Sequence, residues 1–146
     1  MLHADRLQDP KYVGLLQELA DCLSREGFEI KSATALEGYQ RPTVIKNTGF
    51  GDQENKYPDV VGFDPKAHRY AIGVVRATEK ELDTEDALTQ YNLYLDLENK
   101  ENNEPHRLYI VVPSSLVQSL TALITHYIHR EYWYRVSIVS SKKYPA

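Results

Sequence analysis

Two residues of this chain have the types and placement to act together on an anion or a metal ion. Asp59 follows Pro58 at the head of an apolar stretch, Val60-Val61-Gly62-Phe63-Asp64, and Arg76 closes a second, Tyr70-Ala71-Ile72-Gly73-Val74-Val75. A carboxylate is a hard oxygen ligand suited to Mg²⁺, and a guanidinium can grip phosphate through two parallel hydrogen bonds. The segment Pro65-Lys66-Ala67-His68 between the stretches is a turn, so the pattern predicts a β-hairpin with strands over 58–64 and 69–76. Such a hairpin would set Asp59 beside Arg76, and the expected contact is an ion pair across the strand ends.

The elements that must hold this hairpin are legible on either side of it. Asp9-Pro10 is a helix start, with the carboxylate as N-cap and proline in the first turn, and Gly27 is the matching stop, which predicts a helix over about residues 10–26. Tyr12, Val13, Leu15, Leu16, Leu19, Ala20 and Leu23 give it a broad apolar face, with Glu18 near the edge. Phe28-Glu29-Ile30-Lys31 alternates and predicts a short strand. Residues 33–56 are rich in turn formers and read mostly as loop, with a short strand over 43–46 as an option; this loop is a candidate for a mobile, ligand-facing segment, and a solvated connection is the commoner reading. A helix is expected from Asp83-Thr84-Glu85-Asp86 to about Glu98, with Ala87, Leu88, Tyr91, Tyr94 and Leu95 inward. The run Arg107-Leu108-Tyr109-Ile110-Val111-Val112-Pro113 predicts a strand buried on both faces, central in a sheet. Ser114-Ser115 is expected to cap a helix ending near Glu131, and residues 135–140 to form the last strand. Alternating helices and strands imply an α/β fold, a mixed sheet flanked by helices on both faces.

Length and composition narrow the class. A chain of 146 residues is the size of one domain, with 42% hydrophobic and 26% charged residues and no low-complexity tract. The net charge of −4 argues against binding nucleic acid through bulk electrostatics, though not against a local basic patch. Met1-Leu2-His3-Ala4-Asp5-Arg6 lacks the basic start and apolar core of a signal peptide, and no apolar run has membrane-spanning length, so a cytoplasmic location without a membrane partner is expected. The single cysteine, Cys22, excludes an intrachain disulfide and reads as a packed or half-buried side chain. His126 and His129 are spaced for a shared metal on one helix but lack an evident third ligand, so two surface histidines are the simpler reading. Eleven tyrosines include Tyr127, Tyr132, Tyr134 and Tyr144, which gather with Trp133 near the C-terminus. They suit a packing corner or a homodimer interface better than base stacking. Lys142-Lys143 is too short to define a basic patch.

The order of elements together with the Pro58-Asp59 hairpin resembles the PD-(D/E)xK superfamily, the restriction-endonuclease-like fold, over nearly the whole chain. That resemblance implies an αβββαβαβ core in a single domain spanning 1–146. Its motif is Pro-Asp at one strand start, acid-x-Lys on the next strand and often Gln-xxx-Tyr on the following helix. Here Pro58-Asp59, Ala71-Ile72-Gly73 and Gln90 with Tyr94 match, while Val74 stands at the acid position and Arg76 at that of the lysine. Glu18 occupies about the place where many relatives carry a further glutamate. The resemblance therefore implies a site of Asp59, Arg76, Glu18, Gln90 and Tyr94, with Asp59 and Glu18 as metal ligands and Mg²⁺ bound weakly or not at all. A valine cannot ligate Mg²⁺, and arginine does not release its proton. The implied protein is a divergent nuclease-like one with cleavage lost or strongly reduced, retaining a nucleic-acid or protein binding role and the Asp59–Arg76 pair in place of a metal. Two alternatives stay open. One is an active Mg²⁺-dependent nuclease whose acid has moved, with Glu79 the better candidate and Asp64 a turn former; the acidic run 79–86 would oppose phosphate there unless a metal intervened. The other is a structural homodimer held through the aromatic C-terminal region.

Overall fold

A computed structural model describes residues 9–146. The signal-peptide reading of Met1 to Arg6 falls outside the described residues. Helix α1 (Pro10–Arg25) begins where expected: the Asp9 carboxylate accepts the Lys11 N–H at 3.0 Å, and Pro10 fills the first turn, whose N–H groups have no helical partner. It ends at Gly27, whose φ of 96° costs little without a Cβ, and the Phe28 N–H turns back to Leu23 O at 2.9 Å.

Five strands follow in spatial order: β1 (Glu29–Ala33), β2 (Val60–Asp64), β3 (Arg69–Val75), β4 (Arg107–Val112) and β5 (Val136–Ser140). The first three pair antiparallel, and β4 and β5 continue parallel to β3, so the sheet is mixed as expected. The β2–β3 turn is closed by Asp64, whose carboxylate accepts the Lys66 and Ala67 N–H groups, with His68 at positive φ. Parallel strands need crossovers, supplied by α2 (Glu85–Asp96) and α3 (Val117–Tyr127). Thr84 rather than Asp83 caps α2, its hydroxyl accepting the Ala87 N–H at 3.0 Å.

The core lies on both faces of this sheet. Tyr12, Leu15, Leu16, Leu19 and Leu23 of α1 pack on Val60, Ala71, Val75, Tyr109 and Val111. Ile72, Val74, Leu108, Ile110 and Val112 point the other way, against Tyr91, Leu95, Leu120 and Ile124 of α2 and α3. Leu108 through Val112 are all fully buried, which accounts for the unbroken apolar run in β4. At Gly73 helix α1 comes so close that a Cβ would meet Val60 Cγ1 and lie 2.9 Å from Leu19 Cδ2. That approach is the structural use of the glycine in Ala71-Ile72-Gly73.

Three expectations need correction. The 43–46 strand reduces to a single bridge between Ile45 and Lys56, because Asn47 organises residues 47–55 instead: its side chain donates to Phe50 O and Glu54 O and accepts the Phe50 N–H. The loop is tied to α2, the Asp52 N–H bonding Thr89 Oγ1 at 3.2 Å. The third helix stops at Tyr127 rather than near Glu131, and Ser114-Ser115 form a 3₁₀ turn without a side-chain cap. Ile128 is extended and buried, and a second 3₁₀ turn, Arg130–Arg135, swings Arg135 inward to bond His106 O at 3.0 Å and Leu95 O. A continuing α-helix would have carried Arg135 away from those carbonyls.

Candidate functional site

Asp59 lies one residue before β2, held on both sides by its own backbone: its N–H bonds Gly73 O at 3.0 Å and its carbonyl accepts the Thr34 N–H at 2.9 Å. The carboxylate is buried. One oxygen accepts the Tyr12 hydroxyl from α1, and the other accepts the Val75 N–H at 2.8 Å. Arg76 follows β3, its N–H joined to Val111 O at 3.0 Å. With only 4% of its surface exposed, its guanidinium is sealed among donors' partners: Nε donates to Tyr91 Oη at 3.0 Å, Nη1 to Val75 O at 3.2 Å and Nη2 to Gln90 Oε1 at 3.3 Å, with the Tyr91 ring 5.3 Å beneath. Tyr94 also donates to Gln90 Oε1, at 3.2 Å.

Asp86, Gln90 and Tyr94 recur every four residues and so share one face of α2. Gln90 Nε2 bonds Asp86 Oδ2 at 2.9 Å, and Asp86 Oδ1 takes the Lys56 ammonium at 2.5 Å. Lys56, 3% exposed, also bonds Asp52 at 2.7 Å. The chain of polar contacts thus runs from the 47–56 loop through α2 to the end of β3. Burial weakens the Lys56 charge, but the hydrogen bonds to Asp52 and Asp86 outweigh it and raise the pKa above its ordinary value, so this lysine keeps its proton. Arg76 balances likewise: burial opposes the charge, Tyr91 and Asp59 favour it, and the pKa ends raised. Burial, followed by the Asp59 charge, pushes the Tyr94 phenol up, so it serves as a neutral hydrogen-bond donor.

Asp59, Arg76, Gln90 and Tyr94 therefore gather at one end of the sheet, and Glu18 does not join them. Glu18 accepts the Ser141 hydroxyl at 2.5 Å and the Lys142 N–H at 2.7 Å, tying the end of β5 to α1. The α1 residue that reaches Asp59 is Tyr12, six residues earlier and about 9 Å back along the helix. The expected Asp59–Arg76 ion pair is not a direct contact: the Asp59 carboxylate bonds Tyr12 and Val75, and the Arg76 guanidinium bonds Tyr91, Val75 and Gln90. The backbone of Val75 stands between them, its N–H donating to Asp59 and its carbonyl accepting from Arg76, and the two charges act on one another at longer range.

The donor set does not fit a Mg²⁺ seat. Val74 is fully buried against α2 and α3, Glu18 is engaged elsewhere, and Asp59 already accepts two hydrogen bonds next to a buried cation. Among the described residues no three histidine, cysteine or carboxylate side chains are grouped to hold a metal ion, the His126 and His129 pair included. Glu79 is exposed and lines an open groove of about 500 Å³ with Lys80, Asp83, Leu123 and His126, facing α3. Asp64 serves the turn.

Tyr12, Tyr91, Asp86, Lys56 and Asp52 were not expected at this site. Asp86 carried a signal, four residues before Gln90 on a helix, and Tyr91 lay on the inner face. Nothing local separates Tyr12 from its apolar neighbours. In comparisons with known proteins the chain matches no family model, no curated protein and no solved structure. Among the described residues no helix is long and apolar enough to cross a membrane.

Proposed function

We propose that this chain is a divergent PD-(D/E)xK nuclease-like protein in which metal-dependent phosphodiester cleavage is lost or strongly reduced and the fold serves as a binding module. The observation that carries this reading is the state of Arg76: its guanidinium is buried, and each of its three nitrogens donates to a protein partner, Tyr91, the Val75 carbonyl or Gln90. A cation that is to hold a phosphate must present free N–H groups to solvent. The αβββαβαβ order of elements, with Asp59 and Arg76 at neighbouring strand ends, supports the fold reading. Packing of Val74 into the core removes the second carboxylate that would share Mg²⁺ with Asp59.

Incubation of the purified chain with single- and double-stranded DNA and RNA in Mg²⁺ or Mn²⁺ is expected to leave each substrate intact, and titration calorimetry to show no metal binding at Asp59. Cleavage that disappears in Asp59→Ala would overturn the proposal. Gel-shift measurements with the same nucleic acids test the binding role directly.

A further inference from the structure

The two edges of the sheet are built differently, and the difference does not depend on the nuclease-like reading. The outer edge of β1 is guarded. Glu29 and Lys31 are exposed charges on it, a bulge between Ile30 and Ser32 interrupts its register, and Gln40 O returns to take the Ala33 N–H at 2.9 Å. Charges, bulges and covering segments are the usual means of keeping an edge from pairing with another chain. None of them is present on β5. Val136-Ser137-Ile138-Val139-Ser140 has no charge and no proline, its register with β4 is unbroken, and among the described residues no backbone group bonds its outer edge. The segment that follows turns inward, Ser114 and Ser115 donating to Tyr144 O and Pro145 O, and leaves this edge open. All five residues are half-buried or exposed, whereas Leu108 to Val112 alongside are fully buried.

We propose that β5 is a self-pairing edge through which two copies of this chain join antiparallel, with Ile138 on the two-fold axis. The Ser141 N–H bonds Val112 O at 2.8 Å, so odd-numbered residues of this strand direct their backbone groups to β4, and Val136, Ile138 and Ser140 direct theirs outward. Centring the pairing on Ile138 matches every outward residue with another: Ile138 with its own copy, and Val136 with Ser140 in both directions. That register forms about six main-chain hydrogen bonds. It opposes no like charges, placing Arg135 level with the partner's Ser141. The half-buried Val136 and Ile138 on one face and Val139 on the other would continue into the same residues across the axis. A two-fold partner thus satisfies the edge and the apolar rows with one surface.

In sedimentation experiments the full chain is expected to be a dimer at high concentration. Ser140→Pro, which deletes an outward N–H at an exposed position, is expected to weaken it at least tenfold with unchanged circular dichroism. Directly opposed residues in a hydrogen-bonded antiparallel pair have Cα atoms about 5.5 Å apart, within disulfide range, while diagonal ones lie roughly 7–8 Å apart. In a Cys22→Ser background, Ile138→Cys is therefore expected to cross-link two chains on oxidation and Ser137→Cys to fail. A chain that stays monomeric at every concentration, a dimer indifferent to Ser140→Pro, or equal cross-linking from both positions would overturn the proposal.

Discussion

The two ends of strands β3 and β4 treat buried charge in opposite ways. At the C-terminal end, Arg76 has a partner for each of its guanidinium nitrogens, both oxygens of Asp59 are engaged, and Gln90 and Asp86 link this group to Lys56. At the N-terminal end, Arg69 meets Glu104 at 3.6 Å and Arg107 donates to Ser137 at 3.0 Å, yet the Nε of each and both ring nitrogens of His106 are buried with no protein partner among the described residues. His106 lies against Tyr70, ring centroids 5.4 Å apart, and burial, with Arg135 beside it, pulls its pKa down to about 4. A connected polar group resists the loss of any member because each deletion strands the others, whereas a neutral ring with no bonds has nothing to strand.

Deletions at the two ends should therefore differ sharply in urea unfolding. Arg76→Met is expected to destabilise most, by about 3–5 kcal/mol, since it leaves Asp59, Gln90 and Tyr91 facing a removed cation; a loss below about 1 kcal/mol would show the partnering to be incidental. Asp59→Ala should follow at roughly 2–3 kcal/mol, for the lost hydrogen bonds from the Tyr12 hydroxyl and the Val75 N–H. A double-mutant cycle between Arg76→Met and Asp86→Ala is expected to show about 0.5–1 kcal/mol of coupling carried through Gln90, and additivity would break the network into separate pairs. The smallest effect belongs to the other end. His106→Phe should change stability at neutral pH by less than about 1 kcal/mol.

The same substitution carries a pH signature. The folded-state pKa of His106 lies below the ordinary 6.5, so as pH falls the unfolded chain takes up the proton first. The contribution of neutral His106 is complete above about pH 6.5, declines through the interval and is gone below about pH 4. Stability of the parent should therefore fall through this window more steeply than that of His106→Phe, and parallel curves would show that the histidine is not held neutral.

Much of this architecture was legible from local pattern. Asp9-Pro10 and Gly27 bracket a helix because capping and proline geometry act within one turn, and the apolar run 107–113 could only be a doubly covered strand. The site was legible in part. Gln90 and Tyr94 sit four apart on a helix, so their shared face follows from the spacing, and Asp59 and Arg76 flank a hairpin that brings both to one end of the sheet. Glu18 was misplaced because helical periodicity gives the face of a residue and not its level relative to a strand end; Tyr12 holds the position instead. The last helix was carried on to about Glu131 because the contacts that stabilise the 3₁₀ turn at 130–135 instead, to Leu95 O and His106 O, are made by carbonyls far away in the chain.

By itself, then, the sequence determined most of the helices and strands, the mixed character of the sheet, and the placing of Val74 and Arg76 at the end of one hairpin strand. Only the tertiary structure decided what those two side chains do. Burial is a property of the assembled layers, and α2 packed over β3 is what closes Val74 into the core and surrounds Arg76 with Tyr91 and Gln90. It also decided that Asp59 and Arg76 share the backbone of Val75 rather than a direct ion pair, because one N–H and one carbonyl at a strand end satisfy both charges without bringing them into contact.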